Sequence, residues 1–240
     1  MQRYFNDSKE DIFSLSNDDS YHITKVMRNK IGEKVEVVID KELFICEIVS
    51  LDKNVTVKKL DKVEQDSELP CHITIAQSLV KEQKMDLILQ KSCELGVSEI
   101  IPINTTRSVV KLDKKETKKI ERWNKILKEA AEQSKRVIIP EVKEILDIKD
   151  LTTKEYDIKI LCTVNELSTS IKKVLSKDLK GVKIILVIGP EGGFTDKEEE
   201  ILINSGYIST SFGNRVLRTE TASLYALSII NYILMRWIYG

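Results

Sequence analysis

VKIILVIGPEGGFT, residues 182–195, joins an unbroken apolar run to a corner rich in glycine. The run shows no alternation of apolar and polar positions, the pattern of a strand buried on both faces in a parallel sheet. IKILCTV (158–164) has the same character, and HITIAQSLV (72–80) and EIIPIN (99–104) are further strand candidates. Between them KEQKMDLILQKSCELGV (81–97) carries apolar residues at helical spacing through Met85, Ile88, Leu89 and Cys93 and stops at Gly96. ETKKIERWNKILKEAAEQSK (116–135) has helical spacing as well, and a short strand, ISTSFG (208–213), leads into a terminal helix. Strands alternating with helices predict an α/β layer with helices on both faces of the sheet.

The chain begins differently. KVEVVID (34–40), LFICEIVSL (43–51) and NVTVKKL (54–60) are closely spaced and β-branched, as in a small β-barrel or sheet. The polar, proline-ended DKVEQDSELP (61–70) makes a linker. At 240 residues the chain suits two domains, 1–68 and 69–240. Lysine plus arginine equals aspartate plus glutamate, 38 each, so net charge points to no class of partner. Four cysteines without a C-x-x-C pair predict reduced thiols and a cytoplasmic protein. With two histidines, neither a zinc site nor a Ser-His-Asp triad is expected, and no metal. MQRYFNDSKEDIF has no apolar signal segment. ASLYALSIINYILM (222–235) is too short to span a bilayer and is broken by Ser228 and Asn231, so a buried helix at a subunit contact is expected and no membrane.

Ligands of open parallel sheets bind beyond the carboxyl ends of the strands. Three such ends stand out: Cys162 to Asn165, Gly189 to Gly193, and FGNRVLRTET (212–221). Of nine glycines and four prolines, three glycines and one proline fall between Gly189 and Gly193. That corner is either a tight turn with Thr195 capping the next helix or a loop whose backbone approaches a ligand. It has neither G-x-x-x-x-G-K-[ST] nor G-x-G-x-x-G, and its charge, Glu191, would repel a polyphosphate. A cationic or donor-rich ligand suits it better. In the third corner Thr219 or Thr221 is the expected N-cap, which puts Arg215 and Arg218 where cations oppose the helix dipole. Either Glu220 compensates them, with Arg218 salt-bridged, or Arg218 faces an anion. From Arg107 to Arg136 eleven basic residues stand against five acidic ones. This stripe is either a solvated helix face or the footprint of a nucleic-acid backbone.

Together these stretches resemble the SPOUT-type ribosomal RNA methyltransferases that methylate uridine N3 in small-subunit RNA. VIGPEGGFT with GNRVLRTETA (213–222) is similar to the family's cofactor-binding signature. KSCELGVSEIIP (91–102), RSVVK (107–111) and RWNKILKEAAEQSKR (122–136) match further blocks, and RYF (3–5) with HITKVMRNKIGEKVEVVID (22–40) resembles its PUA-like RNA-binding barrel. The resemblance covers essentially the whole chain. It departs at Thr106, where the family often has glutamate, and at Phe212, where leucine is usual.

The resemblance implies a C-terminal SPOUT domain with a deep trefoil knot, where connectivity rules alone predict an unknotted sheet. It implies a homodimer through the C-terminal helices and S-adenosylmethionine as cofactor. The expected cofactor contacts are Thr163, then Gly189, Pro190, Glu191, Gly192 and Gly193, and in the third corner Phe212, Gly213, Arg215, Val216 and Leu217, with Thr221 and Ala222. Arg218 is expected to stabilise charge on the uracil oxygens, with Glu220 as base or as orienter of Arg218. RNA is expected at Arg3, His22, Lys25 and Arg28 of the first domain and at Arg107, Lys118, Arg122 and Lys125. Gln133 and Arg136 are expected to hold the flipped base or its phosphate. The implied activity is methylation of uridine N3 in 16S ribosomal RNA, free or in the assembled small subunit. The rivals are methylation of a ribose 2′-hydroxyl or another base, and a non-enzymatic ribosome-assembly factor.

Overall fold

The apolar run at 182–190 forms the strand Lys183–Ile188, paired in parallel with strands on both sides and buried from Ile184 to Ile188. The structure is a computed structural model that describes all residues except 66, 111–115, 167–168, 176–177 and 240, with side chains described through residue 235. It divides into two units, Met1–Glu68 with Ala131–Ile138, and Leu69–Ala130 with Ile139–Gly240.

The first unit holds β1 (Arg3–Phe5), β2 (Ile12–Ser14), α1 (Asn17–Tyr21), a wide helical turn over His22–Met27, β3 (Lys34–Ile39), β4 (Glu42–Ser50) and β5 (Thr56–Val63). They form one sheet in the order β1-β3-β4-β5-β2. Asp40 and Lys41 close the β3–β4 hairpin with φ of 50° and 67°, the left-handed pair that a tight hairpin turn requires. Alternation along β3 explains the packing. Val35, Val37 and Ile39 enter a core with Tyr4, Leu15 and Ile48, whereas Val38 on the other face meets Leu43 and Val137.

Val137 belongs to residues 131–138, which the sequence reading assigned to the second domain; the structure places them with the first. Two buried arginines hold them. Arg3 donates to Glu36 at 2.9 Å, to the Arg136 carbonyl at 3.1 Å and to the Lys135 carbonyl. Arg136 pairs with Glu68 at 2.5 Å, and Glu68 also accepts from the Val137 and Ile138 amides.

The second unit begins with β6 (His72–Ser78), α2 (Glu82–Glu94), β7 (Glu99–Asn104) and α3 (Glu116–Gln133), whose last turn lies in the first unit. β8 (Glu141–Val142), β9 (Leu146–Asp147), α4 (Ile148–Leu151), β10 (Ile158–Cys162) and α5 (Ile171–Val174) follow. The chain ends with β11 (Lys183–Ile188), α6 (Asp196–Asn204), β12 (Ile208–Thr210) and α7 (Thr219–Tyr239). The strands are parallel, in the order β12-β10-β11-β6-β7-β8, with β9 also on β7. Ile73, Ile75, Ile184, Ile185, Leu186 and Val187 are all fully buried, each worth roughly 1.5–3 kcal/mol relative to exposure. Gly96, which ends α2, has φ +85° and a Cβ there would lie 2.7 Å from the Leu69 side chain, so any other residue would be strained and would displace Leu69. Among the described residues no helix is long and apolar enough to cross a membrane.

Candidate active site

The carboxyl ends of β10, β11 and β12 open into one cavity of about 570 Å³. Its wall is the loop after β10 (Cys162 to Asn165), the glycine corner after β11 (Gly189 to Phe194) and the loop from Phe212 to Thr219, with Lys84, Arg107, Glu199 and Ala222 around them. The size is that of a small-molecule site.

The glycine corner is both things the sequence left open, a capped turn and a cavity wall. Thr195 and Glu198 cap each other reciprocally, which starts α6 with three acidic residues in its first turn. Gly193 has φ 68° and donates to the Pro190 carbonyl at 3.0 Å. The loop after β7 locks the corner from outside: Arg107 donates to the Gly192 and Phe194 carbonyls at 3.0 and 2.8 Å. A Cβ on Gly192 would meet the Arg107 side chain at 3.3 Å, so the close approach itself calls for glycine. Thr106 donates its amide to Glu198 at 2.8 Å. Burial pushes the Glu198 carboxyl up, but the amides of Thr195 and Thr106 outweigh it and hold it below the usual carboxylate range.

The third corner is fixed by a hydroxyl. Thr219 donates to the Gly189 carbonyl at 2.7 Å and accepts from the buried Gln77 amide at 3.0 Å; Gln77 in turn accepts from Ser223 at 2.7 Å. One chain of hydrogen bonds thus ties β6, the glycine corner and the head of α7. α7 starts at Thr219, so neither Thr219 nor Thr221 is its N-cap; the Arg218 carbonyl accepts the first helical bond, from Ala222 at 2.8 Å.

Three comparisons bear on what such a cavity serves. The RNA methyltransferase domain family matches residues 67–231, and the RNA methyltransferase PUA domain matches residues 15–60. The chain is 39% identical to the ribosomal RNA small subunit methyltransferase E of Bacillus subtilis, over 97% of this chain and 96% of that one. The protein of that name from Buchnera aphidicola of Acyrthosiphon pisum is 33% identical over 91% of this chain and 87% of its own. A crystal structure of the methyltransferase E of Neisseria gonorrhoeae bound to S-adenosyl methionine superposes with a TM-score of 0.88 at 28% identity, covering 97% of this chain and 98% of that one. The chain belongs to the ribosomal RNA small subunit methyltransferase E family.

In this family member the expected cofactor residues Thr163, Gly189 to Gly193, Phe212, Gly213, Arg215, Val216, Leu217 and Ala222 all line the cavity, and so does Arg218. Thr221 does not; it is exposed on α7. Glu220 is not on the wall either. Its carboxylate stands 3.5 Å from Lys84, so it does not orient Arg218. Among the described residues no carboxylate pairs with Arg215 or Arg218, and Arg218 is exposed; the salt-bridged reading of Arg218 falls away.

The RNA candidates separate by burial. Arg3 is 1% and Arg136 4% exposed, both committed to partners inside the first unit, so neither is free to meet RNA. His22 bonds the Tyr4 hydroxyl at 3.0 Å, while Lys25 and Arg28 are exposed. Arg122 is tied to Asp86 by two bonds, at 2.7 and 3.0 Å, and to Glu82. Lys118, Lys125 and Gln133 are exposed, and Arg107 holds the glycine corner. Lys111, at the end of RSVVK, lies outside the described residues.

Sequence reasoning missed Lys84, Gln77 and Glu199, whereas Cys162 stands in the first of the three strand ends it singled out. Glu199 accepts from Thr163 at 2.6 Å and anchors the loop after β10. Burial pushes the Cys162 thiol up and favours its neutral form. Gln77 reads as an ordinary strand residue and Lys84 as a solvated helix residue, so neither carries a local signal of its partners.

Proposed function

We propose that the protein methylates uridine N3 of 16S ribosomal RNA in the small subunit, with S-adenosylmethionine as methyl donor. The observation that carries this reading is the convergence of three strand-end loops on one cavity, beside an arginine, Arg218, that meets no carboxylate among the described residues.

The donor set fits the cofactor. Backbone amides and carbonyls exposed at Gly189 to Gly193 and Phe212 to Leu217 suit an adenine edge, and Glu191 and Glu199 in the wall suit a cationic ligand. Those residues with Thr163 and Ala222 would hold it. When bound it supplies a methyl group on a sulfonium, ready for displacement by a nucleophile. The chain's own contribution is positioning and charge. Uridine N3 must lose a proton before it attacks. Arg218 stabilises the negative charge that spreads to the uracil oxygens. Glu220, whose carboxylate stands 3.5 Å from Lys84, takes up the proton. RNA is held by the PUA-type domain through Lys25 and Arg28, and by Lys118, Lys125 and Gln133.

The finer features belong to the same reading. The C-terminal segment threads a trefoil knot, as the likeness of VIGPEGGFT and GNRVLRTETA to the family signature implies. Two copies pair through α7, whose Thr221, Tyr225, Ser228, Tyr232 and Met235 form an exposed stripe at helical spacing. The protein works in the cytoplasm, where its substrate is made.

Transfer of labelled methyl from S-adenosylmethionine to unmodified small subunits, with free ribosomal RNA in parallel, tests the proposal. Label recovered as 3-methyluridine is expected. Recovery as a 2′-O-methyl nucleoside or another base would replace the assigned position, and RNA binding without transfer would leave an assembly factor.

A further inference from the structure

Gln77 is a polar residue where the packing of the sheet needs none. It lies near the carboxyl end of β6, in register with Ile188 of β11 and Pro102 of β7, and is fully buried. An amide taken out of water is costly unless each of its groups is bonded, and here each is. One amide hydrogen goes to the Thr219 hydroxyl at 3.0 Å and the other to the Ser78 carbonyl at 3.1 Å, while the oxygen accepts from Ser223 at 2.7 Å. The direction of these bonds is forced. The Gly189 carbonyl only accepts, so the Thr219 hydroxyl donates to it, at 2.7 Å, and presents its lone pairs to Gln77. Turning the amide over would set its oxygen against the Ser78 carbonyl. Thr219 and Gly189 line the cavity, whereas Gln77 and Ser223 do not.

We propose that Gln77 is a positioning residue for the methyl donor: through the Thr219 hydroxyl it fixes the spacing between the glycine corner and the loop from Phe212 to Arg218. This rests on the reading of the cavity as the S-adenosylmethionine site. The residues that would hold the cofactor stand on both loops, Gly189 to Gly193 on one and Phe212 to Leu217 on the other. A ligand held by two loops bears the cost of ordering them unless they are joined beforehand. The Thr219 bond joins them, and it starts from the residue after Arg218, so it also sets where that guanidinium meets the wall. With Gln77 donating to the Thr219 oxygen, the hydroxyl hydrogen is left to Gly189. Ser223, one turn further along α7, holds Gln77 from its other end, so the amide cannot rotate without losing a bond. An apolar residue in place of Gln77 would fill the sheet without burying a polar group, so packing alone does not explain the amide.

The test is calorimetry of S-adenosylmethionine binding to the full-length protein, with thermal melts to show that each variant folds. Thr219→Val keeps the shape and loses the hydroxyl, and is expected to bind about tenfold more weakly, the loss of one hydrogen bond. Thr219→Ser is expected to bind as wild type. Gln77→Met is expected to lose as much as Thr219→Val, and the double variant no more than either, because the two residues act in series. Ser223→Ala, a milder change outside the wall, is expected to lose about threefold. A merely structural role would lower the melting temperature and leave the affinity of the folded protein alone, so wild-type affinity in Thr219→Val or in Gln77→Met would overturn the proposal. So would losses that multiply in the double variant. If Gln77→Met does not fold, Ser223→Ala decides in its place, and wild-type affinity there overturns the proposal. Amide exchange at Gly193, which donates to the Pro190 carbonyl at 3.0 Å, reads the same corner without ligand. It is expected to quicken in Thr219→Val and Gln77→Met and to stay at the wild-type rate in Thr219→Ser. If wild type binds no S-adenosylmethionine, the functional reading falls on its own, and an unchanged exchange rate in the first two variants overturns the role of Gln77 separately.

Discussion

Arg3 and Arg218 are the same residue at opposite ends of the burial scale. Arg3 is 1% exposed and meets Glu36, Gln65 and two carbonyls; Arg218 is exposed at a cavity mouth and meets no carboxylate among the described residues. A buried guanidinium that donates four hydrogen bonds inside the fold is architecture. One whose fork is left open beside a cavity is available to an anion. Arg107 stands between them, donating to two loop carbonyls from the cavity wall, and Arg122 is an ion-paired surface residue.

The largest effect is expected from Arg3→Ala. It leaves Glu36 without its buried partner and frees the carbonyls of Lys135 and Arg136. Breaking a buried pair costs about 3–5 kcal/mol. Urea unfolding of the full chain should show a loss of that order, while methyl transfer per folded molecule at low temperature stays near wild type. A variant of wild-type stability with weakened RNA binding would make Arg3 a ligand residue after all. Arg218→Ala should do the reverse. Losing a stabiliser of developing charge costs about 10²–10³ in rate, with the melting temperature and calorimetric cofactor affinity almost unmoved. Parallel losses of rate and affinity would assign Arg218 to cofactor binding instead.

The contrast also shows what a sequence discloses. The parallel sheet was legible because Ile184 to Ile188 is apolar without a break, and only burial on both faces tolerates that. The glycine corner was legible because its function is in the backbone, and glycine marks backbone that must come close to something. Arginine carries no such mark. Arg3 and Arg218 differ only in their partners, and those of Arg3 lie far along the chain, at Glu36 and beyond residue 130. The boundary near residue 68 could be read from a polar linker, yet the return of residues 131–138 to the first unit could not. It depends on Val137 meeting Val38 and Leu43 and on Glu68 accepting the Val137 and Ile138 amides, contacts with no local signal. Thr219 misled for a related reason: a threonine before a helix is ordinarily its cap, but here its hydroxyl joins Gln77 to Gly189.

Arg107→Ala sharpens the comparison from the middle. It removes two charge-assisted bonds from the outside of the glycine corner and leaves the rest of the wall in place. A charged hydrogen bond is worth about 1.5–3 kcal/mol when both ends are ordered. Partial exposure and loop entropy reduce that here, so cofactor affinity should weaken by about tenfold by calorimetry, with a smaller loss of stability. Unchanged affinity with weakened RNA binding would return Arg107 to the RNA surface that the sequence suggested.

The smallest effect, and the one that can break the rule, belongs to Arg122. An exposed ion pair contributes about 0–1 kcal/mol, so Arg122→Ala should scarcely change stability. Its guanidinium is already neutralised by Asp86 and Glu82, whereas Lys118 on the same helix is exposed. Each phosphate neutralised lowers the slope of log affinity against log salt by about 0.7–0.9. Lys118→Ala should therefore flatten the salt dependence of RNA binding by nearly that amount, and Arg122→Ala by much less. If the two flatten it equally, the Arg122 ion pair opens when RNA arrives. A partner inside the fold would then no longer mark an arginine as architecture at the surface, and the distinction would hold only where, as at Arg3, burial makes release costly.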